Sequence, residues 1–179
     1  HPLNPICSYG IVKVAIEKYL FLFNQLHGLE YNILRVSNPY GANQQRYGVQ
    51  GVISTFLLKA LKKEPITIWG DGTIERDYIY INDLIDVSVK AGKEMFNDVF
   101  NVGSGVLTSI NNIVNTIEEI SNHKFELNKL PARKFDVQSI SLDCSHAKTH
   151  FSWSPMYKLK DGISNNWIWL RDLRDTEAD

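Results

Sequence analysis

The chain is poor in cysteine and carries no excess of either charge. Its two cysteines, Cys7 and Cys144, are far apart and do not have the spacing of a metal site. We therefore expect two free thiols in a reducing compartment, the cytoplasm. Lysine and arginine total 19 against 20 acidic residues, a net charge of −1. Neither a nucleic acid nor an anionic membrane is favoured as a partner by this balance.

The sequence also lacks a hydrophobic run of the length that crosses a membrane. The richest apolar stretch, residues 19–23, is far shorter than the roughly 20 residues of a spanning helix, and we expect no signal peptide. The first residue is His1 rather than methionine, so we expect an internal fragment or a trimmed chain. No complete Gly-x2-Gly-x2-Gly loop, which would hold the pyrophosphate of a dinucleotide, occurs in the 179 residues.

What the sequence does contain is an alternation of helix-like and strand-like segments. We predict helices at about 9–27, 51–63, 82–95, 110–121, 145–151 and 159–173, and strands at 31–38, 66–69, 76–81, 99–103, 125–130 and 138–142. Ser8 is the expected N-cap of the first helix and Gly28 the residue that ends it. Strands that alternate with helices indicate an α/β protein.

The first predicted helix carries the clearest chemical pattern. Tyr9 and Lys13 are four residues apart and therefore share one face of the helix. An ammonium group beside a phenol favours the phenolate, so this pair is suited to moving a proton near neutral pH. A Tyr-x3-Lys pair also arises by chance, and an ordinary surface contact is the alternative interpretation.

The same helix is apolar around nearly its whole circumference. The apolar residues are Ile11, Val12, Val14, Ile16, Leu20, Phe21, Leu22, Phe23 and Leu26. A helix of this kind is normally buried on more than one side. We expect one side to pack on a sheet and the other on a helix of a second subunit, which would make a homodimer.

Five motifs in one order along the chain resemble the extended short-chain dehydrogenases, specifically the NAD-dependent nucleotide-sugar epimerase/dehydratase family and its UDP-glucose 4-epimerase-like members. The motifs are Pro5-x3-Tyr9-Gly10-x2-Lys13-x3-Glu17, Leu34-Arg35-x2-Asn38-Pro39-Tyr40-Gly41, Gly70-Asp71-Gly72-x3-Arg76-Asp77-Tyr78-Ile79-x3-Asp83, Phe100-Asn101-Val102-Gly103, and Arg133-x2-Asp136-x6-Asp143 followed by Trp153-x-Pro155. The resemblance covers the C-terminal part of that fold. It implies the end of a Rossmann-type NAD(P)-binding domain in residues 1–48 and about 76–105. A small α/β nucleotide-sugar-binding domain is implied for about 49–75 and 106–174, with a loose tail at 175–179.

The resemblance assigns the catalytic and cofactor residues to the first helix and the first strand. Tyr9 is implied as the acid/base that takes a proton from a sugar hydroxyl as hydride passes to NAD. Lys13 is implied to hold the nicotinamide ribose and to lower the pKa of Tyr9. Tyr9, Lys13 and Val36 are together the implied NAD contacts.

The implied substrate residues lie in the later motifs. Asn38, Arg76 and Arg133 would bind the diphosphate, for which the planar fork of arginine is suited. The remaining implied contacts are Asp136 on the nucleotide ribose, Trp69 stacked on the base, Val52 and Thr67 near the base, and Ile140 beside the sugar.

Three of these residues also have an ordinary structural interpretation. Arg76 could pair with Asp77 at a strand end, Arg133 could be a solvated loop charge, and Trp69 could belong to the core. Two positions depart from the family pattern. Val12 stands directly before Lys13, where the family usually has a serine. Ile140 is intermediate between the small residue that admits N-acetyl sugars and the tyrosine that excludes them.

The implied function is NAD-dependent epimerisation of a UDP-sugar at C4. A nucleotide-sugar 4,6-dehydratase or reductase is the alternative, and a non-catalytic nucleotide-sugar-binding fragment is the alternative from another class. The family also uses a serine or threonine upstream of the tyrosine, and only eight residues precede Tyr9. Because that residue and the glycine-rich loop are missing from this sequence, we expect the 179-residue chain to be inactive alone and to bind NAD poorly.

Overall fold

The computed structural model describes residues 3–44, 51–133 and 136–177. Its elements are α1 (Ser8–His27), β1 (Asn32–Val36), β2 (Asn38–Tyr40), α2 (Val52–Lys62), β3 (Ile66–Trp69), β4 (Glu75–Tyr80), α3 (Ile81–Ala91), β5 (Asp98–Val102), β6 (Leu107–Ser109), α4 (Ile110–Ser121), β7 (Leu127–Leu130), β8 (Ser139–Ile140), α5 (Ser145–His150) and α6 (Leu159–Glu177). The predicted α/β class is confirmed. In the described ranges no helix combines the length and apolarity needed to cross a bilayer.

The strands form three small sheets in which parallel pairing predominates. β1 pairs with β5 in parallel, and β3 pairs with β7 in parallel. In the third sheet β4 is central: it pairs in parallel with β2 and β8 and antiparallel with β6. Parallel neighbours place their carboxyl ends at one edge, which is where α/β proteins usually bind ligands.

Strand β4 lies between two separate cores. Successive side chains of a strand point to opposite faces, and β4 follows this rule. Tyr78 and Tyr80 pack into the first core cluster, with α2, β3, α4 and α6. Ile79 packs into the second core cluster, with α3, β5 and α5. Packing against these two cores therefore holds the residues of β4 in place from both faces of the strand.

Helix α1 has no buried residue in the described chain. A half-buried stripe of Gly10, Val14, Glu17, Leu20 and Asn24 is its most covered side. Arg35 of β1 anchors this stripe through a two-pronged ion pair with Glu17, in which Nε lies 2.8 Å from one carboxylate oxygen. The prediction that α1 is buried on more than one side is thus wrong within this chain, because only this narrow stripe is covered.

Several element boundaries differ from the predicted ones. Cys7, not Ser8, is the N-cap of α1, and it makes no side-chain cap bond. Pro39 and Tyr40 lie in β2 rather than in a loop, because their backbone pairs with β4. The expected loop over 39–48 extends into residues outside the described ranges. Helix α6 continues past its predicted end at 173 to Glu177, and so includes part of the predicted tail.

Asp83 shows how a distant contact can displace a local one. Aspartate is a common N-cap residue, but the observed N-cap of α3 is Tyr80, and the helix ends at Ala91 rather than near 95. The Asp83 carboxylate is buried and instead accepts hydrogen bonds from the backbone N–H groups of Met156 and Tyr157, at 2.9 and 3.1 Å. It therefore ties the start of α3 to the segment before α6.

Candidate nucleotide-sugar site

A cavity of about 630 Å³ opens between β2, the N-terminal turn of α2, β3, β4 and the segment that precedes β8. Seven of the eight residues predicted to bind substrate line it: Asn38, Val52, Thr67, Trp69, Arg76, Arg133 and Asp136. They come from positions that span 99 residues of sequence (38 to 136), and the fold brings them to one cavity. The size lies in the range of pockets that bind small ligands.

Arg76 is held in place by two backbone carbonyl groups, one in β4 and one in the segment before β8. Its Nη1 donates to the carbonyl oxygens of Glu75 at 2.8 Å and Val137 at 2.6 Å. Both bonds use one nitrogen, so among the described residues Nε and Nη2 remain for an acceptor in the cavity. Asp77, the residue predicted as a possible ion-pair partner, does not pair with Arg76. The Asp77 carboxylate is turned to the other side of the strand and accepts from the Ser104 N–H at 2.8 Å.

Arg133, the second arginine of the cavity, lies over the exposed ring of Trp69. The Arg133 guanidinium carbon is 4.3 Å from the centre of the Trp69 ring, a cation–π contact. Trp69 is 42% exposed and is therefore not a core residue. The alternative interpretation of Trp69 as plain core is wrong.

Asn38 and Asp136 complete the polar lining. The amide nitrogen of Asn38 donates to the Asp77 carbonyl at 2.8 Å, which leaves its oxygen free to accept. Asp136 is exposed and is the one carboxylate among the described lining residues. Two guanidinium groups against one carboxylate give this lining a net positive charge, which favours a polyanionic ligand.

The apolar wall contains residues that the sequence analysis missed. Tyr78 and Phe56 are buried members of the first core cluster that also reach the cavity. Burial raises the pKa of Tyr78 to about 12, so its phenol stays neutral at physiological pH. Tyr78 was predictable, since it lies two residues after Arg76 and neighbours at i and i+2 share one face of a strand.

Four predicted site residues lie outside the described cavity lining. Tyr9 is 72% exposed on the first turn of α1, and the Lys13 ammonium lies 5.4 Å from the centre of its ring. Val36 is exposed at the carboxyl end of β1. Ile140 pairs with Arg76 in the β4–β8 register and is half exposed. The structure thus keeps Tyr9 and Lys13 together but does not bring them to the lining of the nucleotide-sized cavity.

The chemistry that this arrangement supports is recognition of an anion attached to an aromatic group. Two arginines suit phosphate oxygens, the indole ring suits a stacked base, and a carboxylate suits a sugar hydroxyl. No group of three or more potential metal ligands lies close together in the part of the chain described above. The fold is that of an α/β protein, and its described cavity has the size and lining that suit a nucleotide-sized anion.

The comparison with known sequences places the chain in a family. A profile described as the NAD dependent epimerase/dehydratase family matches residues 1–103, more than half of the chain. The chain belongs to this family. It is 37% identical over 176 residues to a protein named putative UDP-glucose 4-epimerase from Methanocaldococcus jannaschii, covering 98% of this chain and 57% of that protein. It is 39% identical over 163 residues to the dTDP-4-dehydro-6-deoxyglucose reductase of Escherichia coli, covering 90% and 51%.

Solved structures show the same relationship. The UDP-glucose 4-epimerase of Thermotoga maritima, solved with UDP-glucose, matches with a TM-score of 0.91 and 36% identity. That match covers 96% of this chain and 55% of the other. The UDP-N-acetylglucosamine 4-epimerase of Methanobrevibacter ruminantium matches with a TM-score of 0.89 and 26% identity over 95% and 55% of the two chains. The chain therefore spans about half the length of the relatives it matches.

Proposed function

We propose that this chain is the substrate-binding and proton-transferring part of a cytoplasmic, NAD-dependent enzyme that epimerises a UDP-sugar at C4. The observation that carries the proposal is the cavity that gathers Arg76, Arg133 and Trp69. Similarity to 4-epimerases, one of them solved with UDP-glucose, supports the same assignment.

In this proposal the cavity holds the nucleotide diphosphate. Arg76 presents its remaining guanidinium donors to the phosphate oxygens, and Asn38 presents the second N–H of its amide group, since only one is bonded to the Asp77 carbonyl. Asp136 accepts the ribose hydroxyls, and the base lies against Trp69 with Val52 and Thr67 nearby. Ile140 stands beside Arg76 on the neighbouring strand, where it limits the size of the sugar.

The proton-transferring role falls to α1. Tyr9 accepts the proton of the sugar hydroxyl at C4 and returns it at the end of the reaction. The Lys13 ammonium, on the same helix face and 5.4 Å from the centre of the Tyr9 ring, holds the nicotinamide ribose. NAD, when bound, supplies the hydride acceptor. The neighbourhood of Val36 fits such a cofactor, because Val36 is exposed at the carboxyl end of β1, the edge at which α/β folds bind ligands.

The activity is tested on the complete gene product with UDP-glucose and UDP-N-acetylglucosamine. NMR of the sugar should show the 4-epimer. Tyr9→Phe should lower kcat by about 100-fold or more, the usual contribution of a general acid/base. Tyr19→Phe, another exposed tyrosine of the same helix, is the matched control and should keep full activity. A Tyr9→Phe variant as active as the wild type would exclude Tyr9 as the catalytic group.

A nucleotide-sugar reductase is the second candidate, because the reductase of Escherichia coli is among the similar proteins. Consumption of a reduced nicotinamide with a 4-keto-6-deoxy sugar would establish it. A 4-keto-6-deoxy product formed from a UDP- or dTDP-hexose would instead establish a 4,6-dehydratase. Tight UDP binding with no turnover of any of these substrates would favour a non-catalytic nucleotide-sugar-binding role.

We further propose that α1 forms a homodimer interface. Apolar side chains are exposed around α1: Ile11, Val12, Ile16, Tyr19, Phe21, Leu22, Phe23 and Leu26. Light scattering should give twice the chain mass, and Phe21→Asp should return the monomer. Val89→Asp, at a similarly exposed position of α3, should leave the dimer intact. A monomeric wild type would refute this interface.

We also propose a division into two units around the two core clusters. The first cluster, built on α2, β3 and α4, belongs to the nucleotide-sugar unit. The second, built on α3 and β5, belongs to the Rossmann-type unit. Helix α5 packs in the second cluster through Ala147, so we place it beside the Rossmann-type unit, although the sequence assigned it to the other.

A further inference from the structure

The stacked pair Arg133 and Trp69 occupies the surface on which the base is proposed to lie. The guanidinium carbon is 4.3 Å from the ring centre, which is ordinary contact distance. Inserting a flat base between the two groups would require about 7 Å, twice the optimal separation of non-bonded carbon atoms. The base and Arg133 therefore cannot share this face of the ring.

We propose that Arg133 and the nucleobase compete for the Trp69 ring, and that the diphosphate of the ligand releases the ring by drawing the guanidinium away. This inference rests on the proposed function, because it takes a uridine diphosphate as the ligand of the cavity. Arg133 then has two alternative partners in one pocket: the ring when the pocket holds no phosphate, and phosphate oxygens when it does.

The relative strength of the two contacts gives the exchange its direction. A cation–π contact at a partly exposed ring is modest, whereas a guanidinium–phosphate contact is a charge-assisted, frequently bidentate hydrogen bond. When a ligand carries both a base and a diphosphate, Arg133 exchanges its contact with the ring for the stronger contact with phosphate. The base can then stack on the exposed Trp69 ring. A nucleoside without phosphate must displace Arg133 from the ring, but it has no phosphate oxygens to which the guanidinium can bind instead. The site therefore discriminates against free nucleosides.

The competition predicts opposite effects of one substitution on two ligands. Arg133→Ala frees the ring, so the affinity for uridine should rise about two- to fivefold, the equivalent of about 0.5–1 kcal/mol. The same substitution removes a phosphate ligand, so the affinity for UDP should fall, by about tenfold or more. An arginine that served only the diphosphate would leave uridine binding unchanged.

Arg76→Ala is the matched control. Arg76 also lines the cavity, but its guanidinium is bonded to the carbonyls of Glu75 and Val137 rather than stacked on Trp69. The control should weaken UDP binding and leave the affinity for uridine within twofold of the wild-type value. Circular dichroism of both variants establishes that the fold is retained.

The experiment is titration calorimetry of the wild type, Arg133→Ala and Arg76→Ala with uridine, with UDP and with uridine in saturating inorganic pyrophosphate. Pyrophosphate should raise the uridine affinity of the wild type by two- to fivefold and have no such effect on Arg133→Ala, since the coupling acts through that side chain. Unchanged or weakened uridine binding by Arg133→Ala overturns the competition while leaving the UDP site in place. Failure of the wild type to bind UDP overturns the proposed function itself.

Discussion

The buried carboxylate of Asp77 offers the most specific test of how this fold holds its site. Asp77 is 1% exposed and lies on β4 between the two cavity residues Arg76 and Tyr78. One carboxylate oxygen accepts from the Ser104 N–H at 2.8 Å and hydroxyl at 2.7 Å. The other accepts from the N–H groups of Gly105 at 3.0 Å and Leu142 at 3.3 Å.

Replacing Asp77 by asparagine keeps the size of the side chain but removes one of the two accepting oxygens. The amide nitrogen then takes the place of one carboxylate oxygen. The two donors that were bonded to that oxygen, either those of Ser104 or those of Gly105 and Leu142, lose their acceptor. Each buried donor left without a partner costs about 1–3 kcal/mol, so we expect Asp77→Asn to lower the free energy of unfolding by about 2–4 kcal/mol. For a chain of this length that corresponds to a decrease in Tm of roughly 5–15 °C.

The assay is urea unfolding followed by circular dichroism, with Asp71→Asn as control. Asp71 is exposed and uses a single carboxylate oxygen for both of its bonds, to the N–H of Thr73 at 3.0 Å and its hydroxyl at 2.6 Å. An asparagine oxygen can accept both, so the control should leave the free energy of unfolding close to the wild-type value. If the free energy of unfolding of Asp77→Asn were equally close to the wild-type value, the argument that Asp77 needs both oxygens for its four donors would be refuted.

Three further predictions concern the contacts around the site. Arg35 lowers the pKa of the Glu17 carboxyl through their hydrogen bonds, so this pair stabilises the fold above the ordinary value of 4.5 and loses its effect as the pH falls through the lowered pKa. Glu17→Gln should therefore cost about 0.5–1 kcal/mol at neutral pH and progressively less as the pH is lowered below 4.5, measured by urea unfolding across that range. Burial raises the pKa of Tyr78 from 10.0 to about 12, so its contribution is present below pH 10.0 and lost as the pH rises through 12. Tyr78→Phe should reduce the loss of stability over that interval, and an identical alkaline decline in both proteins would contradict the burial effect. Ser109 caps α4 by accepting from the Asn112 N–H at 3.1 Å, and Ser109→Ala should cost about 1 kcal/mol in thermal unfolding, with an unchanged Tm as the contrary result.

Where the signals for a segment are local, the sequence predicted its boundaries well. Strand β3 was predicted at 66–69 and occupies those residues, because Pro65 and Gly70 interrupt the pattern on both sides. Helix α4 was predicted at 110–121 and occupies them, because Ser109 supplies the N-cap and an apolar face follows it. Strand β6, only three residues long, was missed because its pairing with β4 leaves no periodic pattern in so short a segment.

Where a contact joins distant parts of the chain, the sequence was a poor guide. Pro39 and Tyr40 have the composition of a loop but form β2, because β4 supplies the paired backbone. Asp83 is of a residue type that often caps helices, but its carboxylate instead accepts from two N–H groups 73 and 74 residues away. Local propensity is weak compared with burial and paired backbone hydrogen bonds, and tertiary contacts override it.

The sequence by itself determined the class of fold, the family resemblance and the residue types of the site, since these follow from motifs that can be read without coordinates. Only the tertiary structure decided that Arg76 and Arg133 reach the same cavity, and that Arg133 lies on the Trp69 ring. It also decided that Asp77 turns away from Arg76 to bind the loop at Ser104. The physical reason is that the direction of a side chain depends on the donors, acceptors and rings that the fold brings to it from distant positions.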